Sequence, residues 1–283
     1  MRRVCLTASF AFALLAVHAA TYSTGEIPFE YREGLLWIKA TVRQPSTTLN
    51  LLLDTGAGVS VLNTSAAERI GLQLGSPMLV RGVATSVTGY SLRPVSLSSK
   101  GFQLPAPSIA VDLQTLSSSC EQAVDGLVGA DFFRGRIVEI DFEAHKIRIL
   151  LPRAESKFDD SLPLQVRRCG IRVPVSVNGR KAQWARLDTG CASDLQWVTS
   201  KVRAEDCGRK SAIGLTEVSI PQTQTTVEIG SHQFHKVPTG IHEKSIFQGE
   251  AGLLGTGLLS RFSSIAIDAQ AGRLLLQGRA ADL

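Results

Sequence analysis

One short stretch occurs twice in this chain, and it limits the possible folds more than any other feature. Leu51-Leu52-Leu53-Asp54-Thr55-Gly56-Ala57 returns as Ala185-Arg186-Leu187-Asp188-Thr189-Gly190-Cys191. Each copy is a largely apolar lead-in, an Asp-Thr-Gly triplet and a small residue. A single Asp-Thr-Gly carries little weight, since it arises by chance in roughly one chain of this length in twenty. Asp and Gly are also ordinary turn formers at strand ends. Two copies at matched places in a longer repeat carry far more.

The longer repeat runs through the chain. Asp54 is followed by Asp125-Gly126-Leu127-Val128-Gly129-Ala130-Asp131-Phe132-Phe133, and Asp188 by Ala251-Gly252-Leu253-Leu254-Gly255-Thr256-Gly257-Leu258-Leu259. Next come strand-like runs with an internal acid, Ile137-Val138-Glu139-Ile140-Asp141 and Ile265-Ala266-Ile267-Asp268. Basic-apolar segments close both copies, Lys146-Ile147-Arg148-Ile149-Leu150 and Arg273-Leu274-Leu275-Leu276. Alternating runs at 38–42 and 171–177 stand at similar distances before the two triplets. The order implies two copies of one domain, residues 20–154 and 155–283. The polar segment 151–161, with Pro152, is the linker candidate.

Residues 1–19 read as a signal peptide: Arg2 and Arg3, a mostly apolar stretch from Val4 to Val17, and cleavage after Ala19. The segment is short for a membrane span. No later stretch is long and apolar enough to cross a bilayer. The expected mature chain is exported, periplasmic or secreted. Losing Arg2 and Arg3 lowers the formal charge from +5 to +3. No Lys/Arg block remains that would favour a nucleic-acid partner.

The coarse pattern is strand-rich. Apolar residues make up 44% of the chain, and 25 glycines supply turns. Residues 38–42 alternate, 51–53 form a buried run, and 59–62 continue a strand past the turn. Residues 64–71 read as a short helix, capped by Ser65 or Thr64 and ended by Gly71. Residues 78–113 read as further strands, with Gly82, Gly89 and Gly101 as bends. Cys120, Cys169, Cys191 and Cys207 remain after processing. They allow three full pairings that sequence does not decide between. Cys191 is small enough for its site, and pairing with Cys207 stays open.

Other chemistries find little support. Gly56-x-Gly58 lacks the third glycine of a dinucleotide fingerprint, since Val61 stands there. There is no Gly-x-Ser-x-Gly and no Cys-x-x-Cys. His232 and His235 point to opposite faces of a strand and read as surface residues. Asp141 and Asp268 read as structural.

On Leu52-Leu53-Asp54-Thr55-Gly56-Ala57, Gly126-Leu127-Val128-Gly129-Ala130-Asp131-Phe132, Leu187-Asp188-Thr189-Gly190 and Gly252-Leu253-Leu254-Gly255, the chain resembles a bacterial aspartic peptidase of the retropepsin-like and pepsin-like group. The resemblance covers nearly the whole expected mature chain. It implies an all-β fold of two pseudo-symmetric closed β-barrel lobes with the active site in the cleft between them. It also implies an aspartic endopeptidase acting on peptide or protein substrates. One chain carries both triplets, so a monomer suffices, and no metal or cofactor is called for. Asp54 and Asp188 are then the catalytic pair, and Thr55 and Thr189 lock the two loops across the interface. Gly129 and Gly255 lie where a second strand threads behind each loop. Residues 80–90 are the flap candidate, with Tyr90 structural.

The residue types suit that chemistry. Two facing carboxyls cannot both ionise easily, so they hold one proton between them. The ionised partner takes a proton from water while the protonated partner binds the substrate carbonyl. Gly56 and Gly190 allow the tight turns that bring amide N–H groups to the carboxylates. Arg186, two residues before Asp188, shares a strand face with it, and a cation there would favour the ionised dyad. We read the strand as starting at the surface, with Arg186 pointing to water. A silent peptide-binding relative of the same fold is the alternative.

Overall fold

The alternation of Ile38, Ala40 and Val42 with Lys39 and Thr41 is what a strand with one wet face requires. Leu35–Val42 is such a strand, with Lys39 and Thr41 exposed between buried neighbours. The computed structural model describes residues 23–42, 46–82, 86–152, 157–167, 170–199, 209–213 and 217–279. The candidate signal peptide, Cys169, Cys207, the tip of the candidate flap and part of the candidate linker lie outside the described residues.

Leu35–Val42 runs antiparallel to Thr47–Leu53, which delivers Asp54. In the second half Gly170–Val177 runs antiparallel to Gln183–Asp188. A later strand then enters each lobe in parallel: Gly126–Val128 beside Leu51 to Leu53, and Gly252–Gly255 beside Arg186 to Asp188. On its far side that strand is antiparallel to the one leaving the Asp-Thr-Gly loop, Val61–Asn63 or Leu195–Val198. Each loop is therefore straddled by a strand threaded between its two arms. The threading leaves no room for a side chain. A Cβ on Gly129 would lie 2.4 Å from the Val59 carbonyl carbon, and one on Gly255 would lie 2.0 Å from the Ser193 oxygen.

In the C-terminal lobe, Gly170–Val177 also meets Glu217–Ile229 at Ser176 and Val177, which closes the sheet on itself. In the N-terminal lobe the corresponding end of Leu35–Val42 pairs with Leu97–Ser99 instead. Helix is confined, among the described residues, to Thr64–Arg69, Gln114–Ser118, Thr256–Leu259 and a 3-10 turn at Ala130–Phe133. The fold is all-β.

The terminal hairpins of the two copies do not close separate lobes. They join in one six-stranded sheet ordered Ser23–Pro28, Lys146–Leu150, Ile137–Asp141, Ser264–Asp268, Arg273–Gln277, Asp160–Pro163. At its middle seam Ile137 faces Asp268, Glu139 faces Ala266 and Asp141 faces Ser264. The two halves thus meet along matched strands, as a pseudo-two-fold requires. Val138, Ile140, Ile265 and Ile267 face the main core, while Ile137, Leu150, Ala266 and Leu275 form a small cluster on the other face. Asp141 pairs with Arg148, and Asp268 with Arg273, so both acids are structural as expected.

Local readings need three corrections. The strand after the first loop is Val61–Asn63, later than expected, because residues 57–59 belong to the loop. The helix starts at Thr64 with Asn63 at its cap position and no side-chain cap. Asn63 is occupied elsewhere: it donates to the Val124 carbonyl and accepts from the Leu113 N–H. Gly89 is no bend. It lies inside Ser86–Ser91, and a Cβ there would come 2.6 Å from Val80 Cγ2. Gly71 and Gly101 do take positive φ, at 79° and 82°, and serve as turns.

Candidate active site

Both Asp-Thr-Gly loops turn at the end of a buried strand, and the turns face each other across the lobes. The threonines set the geometry. The Thr55 hydroxyl donates to the Leu187 carbonyl (2.7 Å) and accepts from the Thr189 N–H (3.0 Å). The Thr189 hydroxyl donates to the Leu53 carbonyl (2.8 Å) and accepts from the Thr55 N–H (3.0 Å). Both threonines are fully buried. These four bonds all cross between lobes, so neither loop holds its position without the other.

The lock brings the two carboxyls together. Asp54 and Asp188 share a hydrogen bond. Each glycine faces the opposite acid. A Cβ on Gly56 would lie 2.5 Å from Asp188 Cγ, and one on Gly190 would lie 2.5 Å from Asp54 Cγ. Gly56 N–H and Ala57 N–H both donate to Asp54 Oδ1 at 2.9 Å, while Gly190 N–H donates to Asp188 Oδ1 at 3.0 Å. The six residues singled out from sequence, Asp54, Thr55, Gly56, Asp188, Thr189 and Gly190, therefore assemble into one site.

A family model for aspartyl proteases matches residues 38–132. The aspartic proteinase from Irpex lacteus matches the structure with a TM-score of 0.57, covering 90% of this chain and 97% of that one at 15% identity. No curated protein matches the sequence. The fold is that of the pepsin-like aspartic proteinases, and the first half carries the match to the aspartyl protease family model.

The electrostatics of the site are uneven. Burial raises the Asp54 carboxyl, against the pull of the Ala57 and Gly56 N–H groups. Burial first, and then the neighbouring Asp54 charge, push Asp188 up to about 8. Asp54 keeps partial contact with solvent, whereas Asp188 is buried. Like charges this close favour one proton on the pair, and the pair titrates as a unit.

Arg186 does not point to water. Its side chain is 3% exposed and forms a two-pronged ion pair with Glu250, Nε to Oε2 at 2.7 Å and Nη2 to Oε1 at 3.0 Å. Its third prong, Nη1, donates to the Gly56 carbonyl of the opposite loop at 2.9 Å. The guanidinium lies 3.4 Å from the centre of the Phe247 ring. A cation two residues before the acid is buried because a partner acid waits for it. Sequence gave no sign of Glu250, which lies far along the chain in a loop.

The second set of residues that sequence reasoning missed braces the loops from behind. Asp131 accepts from the Ser60 N–H and hydroxyl, and Ser60 Oγ accepts from the Gly129 N–H. In the other lobe the Thr256 hydroxyl donates to the carbonyls of Thr189 and Cys191. A polar residue within two positions of each Gly-x-x-Gly, Asp131 after Gly129 and Thr256 after Gly255, was the available signal.

Cys191 carries a free thiol that accepts from Gln196 Nε2, while Cys207, the partner left open above, lies outside the described residues. Burial, then the Asp188 charge, push that thiol up to about 12, which keeps it protonated and unreactive. Pro77–Arg81 and Ser86–Ser91 form the candidate flap hairpin. Val80 and Val87 of that hairpin pack on a cluster containing Leu52 and Trp37. Tyr90 pairs with Pro77 and Ala110 at the hairpin base, a structural place. His232 is half-buried rather than on the surface, edge-on to the Phe262 ring at 5.0 Å, while His235 is exposed.

Proposed function

We propose that this chain is an exported endopeptidase that hydrolyses peptide bonds with a water held between Asp54 and Asp188. The observation that supports the reading is the hydrogen-bonded carboxyl pair at the crossing of two mutually locked loops. The ionised carboxylate takes a proton from the water as its oxygen bonds to the scissile carbonyl carbon. The protonated carboxyl gives its proton to the carbonyl oxygen, and a neutral gem-diol forms. The amide nitrogen then takes the proton that the first carboxyl gained. The C–N bond breaks, one gem-diol hydroxyl returns its proton to the second carboxylate, and acid and amine leave. The dyad ends as it began.

The substrate class in this reading is peptide or protein, and a monomer suffices because one chain supplies both acids. Residues 20–154 and 155–283 are the two lobes, and residues 1–19 direct export. The test is cleavage of an unfolded protein or a mixed peptide library by the chain from Ala20, between about pH 3 and 8. Asp54→Asn and Asp188→Asn run beside it. Cleavage lost in both folded variants supports the dyad. Absence of cleavage by a folded wild type at every pH favours the second reading, a silent peptide binder, for which the cation of Arg186 beside the dyad is the motivating feature. In that case, binding of a statine-type transition-state mimic that survives both Asn substitutions would argue against an assembled dyad.

A further inference from the structure

The two catalytic loops repeat in sequence but not in wiring. In the first loop the peptide unit joining Gly56 and Ala57 is engaged at both ends. Its carbonyl accepts from Arg186 Nη1 at 2.9 Å, and its N–H donates to Asp54 Oδ1 at 2.9 Å. The Ala57 N–H also reaches the Asp54 backbone oxygen, and in the second loop the Cys191 N–H makes the matching bond to the Asp188 backbone oxygen but none to the carboxylate. Leu52, at the position matched to Arg186, has no side-chain donor to offer the Gly190 carbonyl. Hydrogen bonds in series polarise one another, so a guanidinium on the carbonyl makes the same peptide's N–H a better donor. Asp54 thus receives two backbone bonds, one of them strengthened from the other lobe, and Asp188 receives one.

We propose that Arg186, held by Glu250, is a positioning residue that breaks the symmetry of the dyad: by capturing the Gly56 carbonyl it keeps Asp54 ionised and leaves the shared proton on Asp188. In the hydrolysis described above, Asp54 then accepts the proton of the water and Asp188 donates to the substrate carbonyl. The coupling within the pair runs the same way: the Asp54 charge and the bond to Asp54 raise Asp188, while the bond to Asp188 lowers Asp54.

The charged groups around Arg186 fit this role. Glu250 satisfies two prongs of the guanidinium. Arg172, opposite Arg186 on the neighbouring strand, donates to the Gly249 carbonyl and stands 3.9 Å from Glu250. Asp54 and Asp188 face Arg186 from the two loops. The Cys191 thiol beside Asp188 is neutral. His242 is tied to Gln196, and burial holds it below its usual range. The Arg186 cation therefore acts on the dyad with one partner acid already committed to it.

The test uses the chain from Ala20 and the double substitution Arg186→Met with Glu250→Gln, which avoids leaving a lone buried charge. Removing a nearby cation raises both carboxyls, so the bell of kcat/KM against pH moves toward higher pH. The expected loss on its acid side is about three- to tenfold. A purely structural role would lower kcat/KM evenly across pH and leave both limbs in place. Carboxyl-13C NMR on Asp-labelled protein, assigned with Asp54→Asn and Asp188→Asn, reads the same pair without turnover. Asp54 is expected to ionise at lower pH than Asp188, and the gap is expected to narrow in the double variant. Equal titrations in wild type and double variant overturn the proposal, as does Asp188 ionising first. The inference leans on the peptidase reading only for the rate measurement. A chain that never cleaves sinks that reading, while the NMR titration still decides this one. Should the double variant not fold, Arg186→Lys keeps the cation but not the three-pronged fork. It is expected to narrow the gap partway, and an unchanged titration there counts against the proposal.

Discussion

At the scale of single residues, the site rests on groups that tolerate almost nothing larger or less polar. Thr55 makes one bond as donor and one as acceptor, both across the lobes and both buried. Thr55→Val keeps the shape and removes both, stranding the Leu187 carbonyl and the Thr189 N–H. The expected cost is about 2–4 kcal/mol, read as a lower urea midpoint, with Thr55→Ser staying close to wild type. A Val variant as stable as wild type would mean the lock carries no net stability. A second residue-scale prediction follows from Asp188. Its folded value of about 8 lies above its ordinary value of 3.8, so the folded state holds a proton that the unfolded chain releases. That contribution is complete below about pH 4 and is lost as pH rises toward 8. Melting temperatures of wild type and Asp188→Asn between pH 4 and 8 should diverge accordingly, the wild type losing more. Comparing the two removes the opposite trend from His242, which burial keeps neutral and which favours the folded state as pH rises. Asp54, Thr55, Gly56 and their second copies were legible because each type has a chemical reason to stand where it does. The burial of Arg186 was not. A strand position says which face a side chain takes, but not whether a loop 64 residues later supplies its partner.

At the scale of elements, the threaded strand is the least forgiving part. Gly255 sits where a Cβ would meet the Ser193 oxygen at 2.0 Å and the Cys191 oxygen at 2.6 Å, both backbone atoms that cannot swing aside. Gly255→Val must therefore push the second Asp-Thr-Gly loop away from its strand, at about 3 kcal/mol or more. The expected result is a folded-state loss visible by circular dichroism, together with loss of statine-type inhibitor binding in any fraction that still folds. Gly71→Ala, at a position open to solvent space but with φ of 79°, is expected to cost far less. Full inhibitor affinity in a stable Gly255→Val protein would show that the loop can relax around the added bulk. Gly129 and Gly255 stand out by their matched places in the repeat, and the strands around them follow from apolar runs bounded by turns. Gly89 was misread for a reason of the same kind: glycine signals either a bend or a close approach, and only the neighbouring strand at Val80 decides which.

At the scale of the whole molecule, the duplicated pattern showed two halves but not how they join. Each terminal hairpin looks complete by itself, since a strand pattern specifies which residues point inward and says nothing about which strand lies alongside. The structure places Ile137–Asp141 against Ser264–Asp268, so the halves share one sheet and one continuous buried core. Added to the crossed threonine bonds, this makes the lobes thermodynamically dependent on each other. Ile265 is fully buried at the seam, opposite Ile140. Ile265→Ala removes apolar contact from both halves at once and is expected to cost about 2–5 kcal/mol. Trp37 belongs to the first half and Trp197 to the second, and both are buried, so each reports on its own lobe. In proteins keeping only one of the chain's three tryptophans, either Trp37 or Trp197, urea unfolding followed by fluorescence should give coincident midpoints, and Ile265→Ala should lower both by the same amount. A midpoint that moves at Trp197 while Trp37 stays put would mean that the shared sheet opens first and each lobe stands alone. The dyad would then be broken well before either lobe unfolds, because its two acids belong to different halves.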